Sequence, residues 1–333
     1  MTEINISSEI EFDKPGKQLG YLRLPHSVHR SAYGWLPVPI GQILNGDGPR
    51  VLISAGNHGD EYEGQVIAST LLRKLEPKDV TGRLTILPMM NFPAADAGLR
   101  VSPIDQGNLN RAFVGQPLRG LTWTIAHYVE TVLMPRHDLY IDLHAGGSSL
   151  FYKPSVYVSW PHDAAKRKTM EHLIETLAMP CSLVVETNPK GAHSQAAAER
   201  NGILSFAIEA AGGGQVTHKV RKLIEANVLR MLNAFGSYRG EAPATNAKTA
   251  YYSVEDEHFL YATEPGLFEP LAELGDRVKR GETACLIHHP ETPGREPDEL
   301  KWPSDGELIC VRVGARVMRG DCLFHLGGPQ AGP

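Results

Sequence analysis

Between about residue 50 and residue 236, short apolar runs alternate with stretches whose apolar residues recur every three or four positions. Val51-Leu52-Ile53-Ser54-Ala55 predicts a buried strand, and Val66, Ile67, Leu71, Leu72 and Leu75 mark one face of a helix over 62–75. The same reading gives a strand from Leu84 to Met90, a helix over 122–134 and a strand from Leu139 to Leu143. A helix over 164–177, strands at 183–185 and 204–208, and a long amphipathic helix over 216–235 complete the series. Strands that alternate with helices predict an α/β region with a mixed, mostly parallel sheet and helices on both faces. Residues 1–48 predict short strands and turns, closing on the turn signal Asn45-Gly46-Asp47-Gly48-Pro49.

The helical spacing then stops. Residues 237–249 are turn-rich and poor in large apolar side chains, which predicts a linker. Beyond it, over 250–333, Leu274-Gly275-Asp276-Arg277-Val278-Lys279-Arg280-Gly281-Glu282 is echoed by Val313-Gly314-Ala315-Arg316-Val317-Met318-Arg319-Gly320-Asp321. Each copy runs into a short apolar strand, so a small β-sandwich or barrel module is expected, similar to lipoyl- and biotin-carrier hairpins. The connection from Pro290 to Trp302 lacks the Asp-Lys-Ala or Met-Lys-Met signature of those carriers, which argues against a swinging arm. The expected organisation is a catalytic region over 1–236, a linker at 237–249 and a β module over 250–333.

Composition narrows the field. A chain of 333 residues, 42% hydrophobic and 21% charged, has ample material for a core. A net charge of −5 without a basic block argues against nucleic acid or an anionic membrane as partner. Cys181, Cys285, Cys310 and Cys322 form no C-x-x-C pair and read as free thiols of a reducing compartment. No basic-then-apolar leader opens Met1-Thr2-Glu3-Ile4-Asn5, and no apolar stretch approaches the ~20 residues of a membrane span. The expectation is a soluble cytoplasmic protein whose partner is a small molecule; a homo-oligomer is compatible with it.

The chemistry sits at the ends of predicted strands. Gly56-Asn57-His58-Gly59-Asp60-Glu61 follows the first apolar run, and His144 ends the run at 139–143. Two imidazoles and a carboxylate are what a catalytic zinc takes when one position stays open. His58, Glu61 and His144 are therefore the expected ligands of one Zn²⁺ per chain. Asp142 shares a strand face with His144 and either accepts the free ring N–H of a metal-bound histidine or is a solvated strand-end carboxylate. Glu209, at the end of an apolar strand and before Ala210-Ala211-Gly212-Gly213-Gly214, is poorly explained by packing. It reads as the general base for an attacking water and the donor to the departing nitrogen; the alternative is a glutamate facing solvent. The segment 91–113 contains Pro93 and Pro103 and shows little periodicity, and it carries Arg100, Asn110 and Arg111. Irregular stretches of that length are usually functional, and arginine can grip a carboxylate with two parallel bonds.

The succession G-N-H-G-D-E, N-x-P-A…R…N-R-x-F, D-L-H and I-E-x-x-G-G resembles the succinylglutamate desuccinylase/aspartoacylase family, a branch of the zinc carboxypeptidase-like hydrolases. The resemblance implies His58, Glu61 and His144 as zinc ligands and Glu209 as base and proton shuttle. It also implies Arg100 as the group polarising the scissile carbonyl, and Asn110 with Arg111 as the grip on the amino acid's carboxylate. Asn57 to Gly64, with Ile4-Asn5-Ile6-Ser7-Ser8…Lys14-Pro15-Gly16-Lys17, is similar to a bacterial subgroup that contains the N-alpha-acetyl-L-2,4-diaminobutyrate deacetylase of ectoine breakdown. The expected activity is hydrolysis of the amide of a small N-acyl amino acid. Acetyl-diaminobutyrate is the first expectation for the substrate, and succinylglutamate or N-acetylaspartate the second. A metallocarboxypeptidase and a non-catalytic metal- or amino-acid-binding protein are the competing classes. For a cationic substrate arm, Glu63, Asp105 and Glu186 are candidate acidic neighbours.

Overall fold

Consecutive side chains of a strand point to opposite faces, and in the computed structural model the central strands bury both. Val51, Ile53 and Ala55 enter one core while Leu52 enters the other; Leu139, Ile141 and Leu143 oppose Tyr140 in the same way. The first core is closed by Ile67 and Leu71, Leu173 and Ile174, and Val228 and Met231, contributed by three helices. The second is closed by Ile125, Ala126, Ala197 and Ala198 from two others. Each large aliphatic side chain removed from water in this way contributes ~1.5–3 kcal/mol.

The structure describes residues 6–116, 119–186, 188–330 and 332; Met1-Thr2-Glu3-Ile4-Asn5, where no leader is expected, lies outside them. The chain runs β1 (Ser7–Ser8), β2 (Gly16–Pro25), β3 (Trp35–Asn45), β4 (Arg50–Ala55), α1 (Tyr62–Lys74), β5 (Gly82–Leu87) and α2 (Phe92–Ala97). It continues through α3 (Leu121–Tyr128), β6 (Leu139–His144), β7 (Leu150–Tyr152), β8 (Ser155–Val158), α4 (Ala164–Leu177), β9 (Cys181–Val184), α5 (Ser194–Arg200), β10 (Leu204–Glu209) and α6 (His218–Ala234). The remainder is β11 (Ala250–Ser253), β12 (Phe259–Tyr261), β13 (Gly266–Pro270), β14 (Arg277–Val278), β15 (Thr283–His288), β16 (Asp298–Lys301), β17 (Gly306–Arg312), β18 (Arg316–Val317) and β19 (Cys322–Pro329).

The large sheet is mixed. β5, β4, β6 and β10 form its parallel centre, whereas β3 joins β5 and β8 joins β10 antiparallel. From β4 the chain crosses through α1 to β5 on one side, and β6 lies on the other. Strand order therefore reverses between β4 and β6, where open α/β sheets leave a crevice at their carboxyl ends.

Three expectations need correction. Residues 1–48 hold a long antiparallel hairpin, with Tyr21 opposite Pro39 and Arg23 opposite Pro37. The prolines are tolerated because β5 pairs only with residues 41–45 of β3, so that over 35–40 β2 is its only strand partner among the described residues and a missing N–H costs little. The segment 91–113 is not structureless: α2 starts with Pro93 in its first turn and ends at Gly98, whose φ is 64°. The helix expected over 122–134 is α-helical to Tyr128, then widens to π geometry over Val129–Leu133.

In the C-terminal region the echoed segments become β14 and β18, each followed by a longer strand, β15 and β19. β14 pairs with β17 and β18 with β13, so each half lends a short strand to the other half's sheet. β13, β15, β16 and β18 form a separate four-stranded antiparallel sheet. It shares a core with β17 and β19 through Phe268, Ile287, Leu308 and Phe324. The rest of this region continues the large sheet, since β11 pairs parallel with β9 and β19 pairs with β11. β7 also pairs with β17, which ties the rim of the α/β centre to the C-terminal strands. Cys181, Cys285, Cys310 and Cys322 are free thiols. Among the described residues no helix is long and apolar enough to cross a membrane.

Candidate active site

The loop after β4 and the last residue of β6 meet at the crevice. His58, Glu61 and His144 are all buried, and one ligand atom from each lies within 4.8 Å of the others. Gly59 is required here: a Cβ on it would stand 2.1 Å from the Ala94 carbonyl, so only glycine lets the loop pass beneath α2. Glu61 is the last residue before α1, where a carboxylate also favours the positive end of the helix.

Hydrogen bonds behind the trio orient it. His58 Nε2 lies 3.1 Å from Asn108 Oδ1, and His144 Nε2 lies 2.9 Å from Asp142 Oδ2. Both partners are acceptors, so each Nε2 carries the proton and each Nδ1 keeps its lone pair. Those Nδ1 atoms lie 2.8 Å from Glu61 Oε1 and Oε2 respectively. Three electron-rich groups thus converge at one point. Burial alone would lower the His144 imidazole, yet Asp142 and Glu61 hold it well above its ordinary value, so that with no cation among the three groups a proton takes that place between Nδ1 and Glu61. Burial likewise opposes ionisation of Glu61, but His58 and His144 bring it down to about 2. The site calls for positive charge, and a divalent cation with nitrogen and oxygen ligands fits that donor set.

Asp142 is fully buried and is not a solvated strand-end carboxylate. Besides His144 it accepts from Ser54 Oγ at 2.7 Å, Asn57 Nδ2 at 3.0 Å and Ser194 Oγ at 2.6 Å. Fully satisfied, it holds the imidazole in one tautomer and one orientation.

Glu209 ends β10 directly opposite His144. Its Oε2 is buried without a hydrogen-bond partner among the described residues. Burial, and then the Glu61 carboxylate, push its carboxyl up to about 8, against the pull of His144 and Arg100. The glycine run after it has a packing reason: a Cβ on Gly212 would lie 2.3 Å from the Leu150 carbonyl, so glycine lets β7 fold over the end of β10.

The third group comes from the 91–113 segment. Arg100 is half exposed, with Nη1 3.5 Å from Glu61 Oε1. Arg111 donates to its neighbour's carbonyl, Asn110 O, at 2.7 Å. Burial and then the nearby Arg100 lower the Arg111 guanidinium below its ordinary value. Asn110 Oδ1 accepts the Ser194 N–H at 2.9 Å, which leaves its Nδ2 hydrogens for a ligand.

A single cavity of about 380 Å³ is lined by His58, Glu61, Arg100, Asn110, Arg111, His144 and Glu209, so every residue expected in the site opens onto the same space. Of the acidic neighbours considered, only Glu186 lines it. Glu63 is buried beside the Thr217 N–H, and Asp105 accepts from Thr122. Tyr152, Tyr157, His193, Ser194 and Gln195 also line the cavity and were not expected. Asn108 lay inside a motif without an assigned part. Ser194 begins α5, a seven-residue helix whose Ala-rich face carries no chemical signature.

The model of the succinylglutamate desuccinylase/aspartoacylase catalytic domain matches residues 47–235. The N-alpha-acetyl-L-2,4-diaminobutyric acid deacetylase of Halomonas elongata is 34% identical over 319 residues, which cover 96% of this chain and 93% of that protein. Among solved structures, the product-bound ectoine utilization protein EutE (DoeB) of Ruegeria pomeroyi superposes with a TM-score of 0.93 at 32% identity, covering 98% of this chain and 100% of that one. A succinylglutamate desuccinylase/aspartoacylase from Rhodobacter sphaeroides gives 0.91 at 34% identity, with 98% and 99% covered.

Proposed function

The chain belongs to the succinylglutamate desuccinylase/aspartoacylase family, and from that premise we propose that it is a zinc-dependent hydrolase of N-acyl amino acids, acting on N-alpha-acetyl-L-2,4-diaminobutyrate. One observation carries the reading: a metal-type ligand trio, an unpaired buried carboxyl and a two-arginine loop share one cavity sized for a small polar molecule. When bound, zinc supplies a Lewis acid for the acyl carbonyl and lowers the pKa of water towards ~7.

The chain's own groups do the rest. Arg111 and the Asn110 Nδ2 take the substrate carboxylate, which fixes the Cα and aims the acyl nitrogen at the crevice. Arg100 donates to the acyl oxygen as negative charge develops there. Glu209 removes a proton from the attacking water and returns it to the nitrogen as the C–N bond breaks. A carboxyl held near the working pH suits both halves of that shuttle, because it is neither locked in one protonation state nor too weak an acid. Glu61, whose carboxylate pushes the Glu209 carboxyl up, would do so less with a cation held among His58, Glu61 and His144, and Glu209 would then be more readily available as the ionised base. Products are acetate and the free diamino acid.

The test is amine release from acetyl-, succinyl- and formyl-amino acids by the zinc-loaded protein, with and without a chelator. Chelator-sensitive turnover, fastest on acetyl-diaminobutyrate, is expected. Fastest turnover of succinylglutamate would keep the hydrolase and discard the substrate; no turnover of any member would discard both.

A further inference from the structure

A substrate held as above has its carboxylate on Arg111 and its acyl group beside Glu209, so its side chain must meet the remaining wall. Three carboxylates line the cavity: Glu61, Glu209 and Glu186. Glu61 is taken up by two imidazoles and Glu209 adjoins the reacting bond. Glu186 forms no hydrogen bond or ion pair among the described residues.

Register places it. Glu209 lies opposite Ser155 of β8, and Val158 of β8 lies opposite Val184 of β9. Going from Glu209 to Val184 crosses two strand spacings of ~4.8 Å and advances three residues of ~3.3 Å, roughly 14 Å between Cα atoms. Glu186, two residues past β9, therefore stands across the cavity from the base. Tyr157, on the strand between them, and Gln195 line the interval. The other titratable group of this wall, His193, is held below its ordinary value, by burial first and Arg111 second, and adds no positive charge at neutral pH.

Resting on the hydrolase reading, we propose that Glu186 forms a subsite for an ammonium at the end of the substrate's side chain, carried on a short aliphatic arm. Its neutral or acidic counterparts are selected against: a neutral arm gains nothing from the carboxylate, and the side-chain carboxylate of an N-acetylaspartate would be repelled by it. The subsite supplies the discrimination that the α-carboxylate clamp cannot, because every N-acyl amino acid carries that carboxylate.

The experiment compares kcat/KM for N-acetyl-2,4-diaminobutyrate, N-acetylnorvaline and N-acetylglutamate in the zinc-loaded wild type, Glu186→Gln and Glu186→Lys. The ratio of ammonium-armed to neutral-armed substrate is expected to fall about tenfold in Glu186→Gln, a size suited to a pair still reached by solvent. Glu186→Lys is expected to shift preference towards N-acetylglutamate. Ratios equal to wild type in both variants, with the wild type active, would overturn the subsite while leaving the hydrolase intact. A wild type inactive on all N-acyl amino acids would overturn the hydrolase reading, and the subsite with it.

Discussion

The metal-ligand trio and the arginine clamp open onto the same cavity but are built on opposite plans. At the trio, both imidazoles have a polar partner at each ring nitrogen, and His58, Glu61, His144 and Asp142 are buried at the carboxyl ends of β4 and β6. At the clamp, Arg100 is half exposed, the two guanidinium groups oppose each other, and Asn110 keeps an unused amide hydrogen pair. The first region is organised before any ligand arrives. The second is left incomplete, and on the proposed reading a substrate's carboxylate completes it. On that reading, strong charge complementarity is placed where the ligand is invariant, and unpaired donors where a ligand would enter and leave.

The largest expected effect tests whether the base belongs to the organised region as chemistry or as a ligand. Glu209→Ala should cut turnover ~100- to 10,000-fold, the usual range for loss of a general base, with bound metal retained. His144→Ala should lose metal and turnover together. Metal analysis beside single-turnover rates checks both. Loss of metal in Glu209→Ala would move Glu209 into the ligand set, and wild-type turnover would remove it from the mechanism.

Next in size is the clamp. Arg111→Ala should raise KM for acetyl-diaminobutyrate by roughly 10- to 100-fold, since a charge-assisted hydrogen bond is worth ~1.5–3 kcal/mol. Amidating the substrate's carboxylate should cost the wild type a similar factor and the variant little more, because both changes delete one interaction. Additive losses would show that Arg111 holds something else and would dissolve the contrast between the two regions.

The two plans also differ in how far they could be read from sequence. Metal ligands are few residue types at strand ends, so His58, Glu61 and His144 stand out beside apolar runs, as does Glu209 before its glycines. Helices such as α4, with an unbroken apolar stripe, were legible to the residue. Strand order was not: a mostly parallel sheet describes β5, β4, β6 and β10 but misses the antiparallel hairpin and the continuation through β11 and β19, because pairing is decided by tertiary partners. Pro37 and Pro39, in a segment expected as short strands and turns, lie in a long strand, since one side of β3 asks nothing of their backbone there. Ser194 and Asn108 were invisible for another reason. Small polar residues acting through a neighbour have no spacing rule, and Ser194 lies 84 positions from the Asn110 that it touches.

Ser194 provides the finest test, since it is a residue that touches both regions. Its Oγ donates to Asp142 behind His144, and its N–H donates to Asn110 in the clamp. Ser194→Ala removes only the first bond. Because Asp142 keeps three other donors, metal affinity should fall by about tenfold, the lower end for partners of a metal-bound histidine, with KM little changed. Ser194→Pro removes both bonds. Proline is tolerated at the first position of a helix, and the preceding His193 already has the extended backbone (φ −101°, ψ 163°) that a following proline requires. Asn110 then loses the donor that fixes its amide, so the proline variant should add a KM increase of about fivefold, a little under the ~1 kcal/mol typical of one neutral hydrogen bond. Chelator competition reads the metal end and steady-state kinetics the clamp. If Ser194→Ala raised KM as much as Ser194→Pro, the hydroxyl would be supporting the clamp as well, and the two regions would be one cooperative unit instead of two neighbours sharing a helix end.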